Sequence, residues 1–177
     1  MRKNKLVVAF ILAATLLAGC NPTYNWRDYS SPDAPYRVMF PTKPASHTRS
    51  VDLDGVKVEM TMTAAEVEGV MFAVGTGVAE DAAGAQAAVD AMKTAMLRNI
   101  GATVQRESAS AASNGDPASA HKSIDLEATG AGNGGPMQLT GHFESRGKRF
   151  YQVIVLGKEK AVPAEQSEQF MKSFTLL

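Results

Sequence analysis

The sequence predicts an α+β domain in which a central antiparallel β-sheet is flanked by helices. Two observations predict it. Runs of alternating apolar and polar residues recur through both halves of the chain, while one long mid-chain segment and one short closing segment carry their apolar residues at helical spacing.

Tyr36 to Phe40 is a short apolar run ended by Pro41-Thr42-Lys43-Pro44, and Ser46 to Leu53 leads into Asp54-Gly55. That dipeptide suits a two-residue hairpin, whose central positions need positive φ. Beyond it Val56, Val58, Met60, Met62 and Ala64 alternate with Lys57, Glu59, Thr61 and Thr63, the pattern of a half-buried strand. Gly69 turns the chain into Val70 to Val78, apolar at nearly every position and so expected as a central strand. The long helix is expected from an N-cap at Asp81 to about Ile100, with Gly101 as its stop. Ala85, Val89, Met92, Met96 and Ile100 form its buried stripe.

The second half reads as strands over Thr103 to Ala111, Ala118 to Ala128, Met137 to Ser145 and Lys148 to Leu156. Ser113 to Pro117 and Thr129 to Pro136 are expected as loops, and Arg146-Gly147 as the last hairpin turn. A short helix from Pro163 to Ser173 closes the chain, its proline suited to the first turn.

The entry segment Tyr36 to Pro44, the mid-chain helix, the late strand Phe150-Tyr151-Gln152-Val153-Ile154-Val155 and the closing Phe170-Met171-Lys172-Ser173-Phe174 resemble the PsbP and Mog1-like α/β/α sandwich group. The resemblance covers nearly all of residues 36–177. It implies a central antiparallel sheet between helices and a role in binding, as an accessory subunit or recognition module. It supplies no shared catalytic residues.

Arg2, Lys3 and Lys5 precede an apolar stretch from Leu6 to Leu17, which closes on Leu17-Ala18-Gly19-Cys20. This is the charged, apolar, small-residue layout of a secretory signal, and the stretch is well short of the ~20 apolar residues that span a bilayer. The last four residues resemble the lipobox of bacterial lipoproteins. That resemblance implies cleavage between Gly19 and Cys20 and acylation of Cys20, the chain's one cysteine. A single acyl chain anchors only marginally, so stable attachment needs more than one, which the processing of such lipoproteins supplies. Asn21, in place of aspartate, favours the outer membrane facing the periplasm. The expected organisation is a signal peptide over 1–19, a proline-rich lipidated tether over 20–35 and one domain over 36–177. Within the tether, Trp26 beside Tyr24 and Tyr29 either rests at the membrane interface or packs back onto the domain.

Removing the first 19 residues, with their three basic side chains, from 177 residues bearing 18 basic and 18 acidic side chains leaves 158 residues of formal charge −3. That length can bury a core, and that charge argues against a nucleic-acid partner, which asks for a basic stripe. Arg146-Gly147-Lys148-Arg149 is the one dense basic spot and reads as a solvated turn.

No nucleophile elbow, zinc-protease helix motif or paired cysteines appear, and Gly130 to Gly135 lacks the Lys-Ser/Thr ending of a phosphate loop. No catalytic residue and no cofactor is therefore assigned. One constellation remains. If the strands either side of Thr129 to Pro136 pair, His121, Ser123, Asp125 and Glu127 share a face with Thr140, His142 and Glu144. A solvated polar face is the expected meaning, and a metal site on His121, Asp125 and His142 the alternative. The sequence thus reads as a non-enzymatic, lipid-anchored interaction domain with a protein partner at the cell envelope. Its rivals are a small-ligand or metal carrier and an unrecognised hydrolase.

Overall fold

The computed structural model describes residues 23–112, 115, 119–132 and 134–177. Gly19, Cys20 and the apolar stretch before them lie outside the described residues. The elements run β1 (Arg27–Ser30), β2 (Tyr36–Phe40), β3 (Ala45–Leu53), β4 (Val56–Val67), β5 (Val70–Val78), α1 (Ala82–Asn99), β6 (Thr103–Ala112), β7 (His121–Gly132), β8 (Gly135–Arg146), β9 (Arg149–Lys158), α2 (Ala164–Ser173) and β10 (Thr175–Leu176).

Local chemistry accounts for the boundaries. Asp54 at φ 57° and Gly55 at φ 89° make the β3–β4 turn, and Glu68-Gly69 repeats that positive-φ pair between β4 and β5. Asp81 caps α1, its Oδ1 accepting from the Gly84 amide at 2.7 Å. Two sheets result, a seven-stranded one of order β3-β4-β5-β9-β8-β7-β6 and a three-stranded one of order β1-β2-β10, with every recorded pairing antiparallel.

Alternation along the central strands makes two cores, one on each face of the large sheet. Ala73, Ile154, Phe150, Phe143, Leu139, Ile124 and Leu126 pack beneath Ala85, Ala88, Val89 and Met92 of α1. Val70, Phe72, Val74, Tyr151, Val153 and Val155 point the other way, against Tyr36, Val38 and Phe40 of β2 and Phe170 of α2. Strands β5 and β9 are buried on both faces, which is why their sequences are apolar almost throughout.

This corrects the expected α/β/α sandwich. Of the described residues 57% are strand against 19% helix, with only two helices among them, so the fold is mostly β. One face of the main sheet carries a helix, but the other is closed chiefly by a second sheet. Two segments differ from the expectation. Arg27–Ser30, inside the expected proline-rich tether, pairs with β2, so the fold begins before residue 36. The expected loop Thr129 to Pro136 is instead the end of a long hairpin, with Thr129 opposite Gln138, Ala131 opposite Pro136 and Gly132 opposite Gly135. Glycine there serves close approach: a Cβ on Gly130 would stand 2.3 Å from the Ile100 carbonyl oxygen, and the Ala131 amide donates to that oxygen at 2.9 Å.

Trp26 packs on the domain. Its ring stacks on Tyr24 at 6.3 Å and meets Phe72 edge-on at 6.4 Å, while its Nε1 donates to Gln166 Oε1 at 3.2 Å.

Candidate functional site

Beyond the edge of the small sheet, β7 and β8 present a polar face. Ile124, Leu126, Leu139 and Phe143 turn toward α1. Period-two geometry therefore places His121, Ser123, Asp125 and Glu127 of β7, and Thr140, His142 and Glu144 of β8, on the opposite side. The register sets Asp125 directly across from His142, Ser123 from Glu144, and His121 from Arg146. β6 extends the same face, with Ser110 and Ser123 Oγ atoms 2.9 Å apart and Arg106 paired to Glu127.

The side chains form one connected line. His142 Nδ1 lies 2.8 Å from Asp125 Oδ1 and its Nε2 lies 3.1 Å from Glu144 Oε2. Glu144 Oε1 accepts from Arg146 Nε at 2.8 Å and faces His121 Nε2 at 3.1 Å. Asp125 and Arg146 are mostly exposed whereas Glu144 between them is buried, so the line passes from solvent through a buried carboxylate and back to solvent. The Phe174 ring borders the line at His142, 6.1 Å away by centroids.

Electrostatics follow from this packing. Burial pushes the Glu144 carboxyl up, but hydrogen bonds from His142 and Arg146 and their positive charge outweigh it and hold the group at about 2. Burial of the His142 ring works against protonation, yet hydrogen bonding to Glu144 and Asp125 and their negative charge raise its pKa above the ordinary value. An imidazolium donates from both nitrogens, and both nitrogens here face a carboxylate. Tyr151, across from Glu144 on β9, is pushed up to about 12 mainly by burial and stays neutral.

The predicted residues His121, Asp125 and His142 thus share one face, with His121 and Asp125 joined through Glu144 and His142. They do not converge on a common point. A metal-ligating imidazole must be neutral and direct a free lone pair at the ion, while its other nitrogen donates to a supporting group. Both His142 nitrogens are instead engaged by carboxylates. Among the described residues no group of three or more His, Cys, Asp or Glu is placed to hold a metal. A general base meets the same obstacle, since both ring nitrogens of His142 already have carboxylate partners.

Sequence reasoning missed Arg146, which reads as part of a turn. The signal was present: residues 142, 144 and 146 of one strand share a face, and the turn proper begins at Gly147. Comparison of the chain with protein-family models and with curated proteins gives no match.

Proposed function

We propose that this chain is an exported lipoprotein, cleaved before Cys20, acylated on that cysteine and held at the outer membrane facing the periplasm, where its folded part is a non-enzymatic interaction domain for an envelope protein. The observation that carries the reading is the layout of residues 2–20. Basic residues, an apolar stretch too short to span a bilayer, and Leu17-Ala18-Gly19 set directly before the one cysteine form a single processing signal. The polar face supports the non-enzymatic part, because the His142 ring is engaged by Asp125 and Glu144 and the buried Glu144 carboxylate by His142, His121 and Arg146.

Metabolic labelling with palmitate tests the anchor. The wild type incorporates label and Cys20→Ser does not; equal labelling of the two removes the lipoprotein reading. Alanine at His121, Asp125 and His142 together tests the domain's role. The triple variant, shown to be folded, is expected to rescue a deletion phenotype fully, whereas loss of rescue would make the polar face a working site and put the carrier or hydrolase reading first.

A further inference from the structure

The face of the large sheet that carries α1 is only partly covered. α1 packs on β7, β8 and β9, and a groove of about 1330 Å³ opens between it and the β3–β4 hairpin. Its helical wall is made of small side chains one turn apart, Ala87, Ala91 and Ala95, which let another backbone approach closely. Leu53, Val56 and Val58 line the hairpin side.

Two features identify what would fit. Of the four large apolar side chains left exposed among the described residues, two line this groove, Val56 at 60% and Val78 at 49% exposure. The lining also holds seven acidic residues, of which Asp90 is paired with Lys122, against three basic ones, whereas residues 20–177 carry 18 acidic and 15 basic side chains, so the acidity is concentrated in the groove. The volume exceeds the ~300–1,000 Å³ usual for a small-molecule pocket, which favours a peptide segment over a metabolite.

We infer that this groove docks a basic, amphipathic segment of a partner protein, its apolar side chains against Val56, Val78 and the alanine wall and its lysines or arginines at the acidic rim. The inference rests on the reading of the domain as an interaction module and specifies the partner's chemistry. Apolar contact on a complementary charged rim is the arrangement by which grooves take amphipathic segments.

The test uses the full chain in detergent and a fluorescent peptide of alternating lysine and leucine, with a glutamate-leucine peptide of equal apolar content as control. The cationic peptide is expected to bind one to one, more weakly as salt rises. Ala91→Trp, which fills the groove, and Glu80→Lys, which reverses charge at its rim, should each weaken binding about tenfold, a change of ~1.4 kcal/mol. Glu168→Lys makes the same charge change on α2, outside the groove lining, and should not. Each variant is checked for an unchanged circular dichroism spectrum and melting temperature. Equal binding of both peptides, or equal loss with Glu168→Lys, would overturn the inference, as would a groove occupied by a second copy of the chain or by lipid vesicles in preference to the peptide. A negative result with palmitate labelling intact removes the groove assignment alone, whereas loss of labelling touches only the anchor.

Discussion

Glu144 organises the polar face, because it joins His142, His121 and Arg146. Its carboxyl, held at about 2 against an ordinary 4.5, is a group whose pKa is depressed on folding. The stability it contributes is present above about pH 4.5 and is lost as pH falls toward 2. His142 has the opposite sign. Its pKa is raised on folding from an ordinary 6.5, so its contribution is complete below that pH and is lost as pH rises through the folded value. Both contributions coexist between about pH 4.5 and 6.5. Glu144→Gln, measured by urea unfolding, should therefore cost roughly 1.5 to 3 kcal/mol in that window, the scale of hydrogen bonds to a charged group. The difference from wild type should shrink on both sides; a constant difference from pH 3 to 9 would mean that the network does not titrate as described. At this scale the sequence was informative about placement and poor about saturation. Period two was enough to set Asp125 beside His142, but which atoms meet depends on register and rotamer, and neither is written in the spacing.

Turn chemistry was the readable part of the elements, and glycine-rich composition was not. Asp54-Gly55 specifies a hairpin because the φ values it adopts are those its residues tolerate, and α1 begins and ends at the residues its caps require. Gly130 to Gly135 is ambiguous, since the same residues serve a loose loop or a strand pressed against another backbone. At Gly130 the second applies, and two alanine substitutions separate the cases. A Cβ at Gly130 would meet the backbone oxygen of Ile100 at 2.3 Å and the Ala102 Cα at 3.1 Å, neither of which is the end of a flexible side chain. Gly130→Ala should thus destabilise by about 2 kcal/mol, within the range for overpacking a close contact. A Cβ at Gly134 meets only the Lys158 side chain, at 3.5 Å, so Gly134→Ala should be nearly neutral. Equal melting temperatures for the two variants would return the stretch to a loose loop.

The whole molecule departs from its expected layering because of one short segment. Proline density around residues 22–35 argues against regular structure, yet the four residues Arg27–Ser30 fit between Pro22 and Pro32 and pair with β2. That pairing, with β10 on the other side of β2, makes the second sheet and turns the expected helical layer into a largely β one. It also changes how the domain stands relative to an anchor. With Cys20 acylated, only Asn21, Pro22 and Thr23 separate the lipid from Tyr24, which meets Phe72 edge-on at 6.4 Å. At ~3.5 Å per residue at full extension, four residues reach at most roughly 14 Å, so acylation of Cys20 as proposed would hold the domain close to the membrane instead of at the end of a long leash. Trp26 fastens this arrangement through Phe72 and Gln166. Its ring is half-buried, and burying roughly 100 Å² of apolar surface at ~25 cal/mol/Å² gives about 2.5 kcal/mol. Trp26→Ala should accordingly lower the melting temperature by about 5 to 10 °C, at ~2–4 °C per kcal/mol for a chain of this size. It should also open the bonds around residues 24–30 to protease, because the strand they enter is short and lies at the edge of its sheet. A fall of under about 2 °C with no new cleavage would mean that the segment is the loose tether its prolines suggest, and the domain would then be free to reach partners well away from the bilayer.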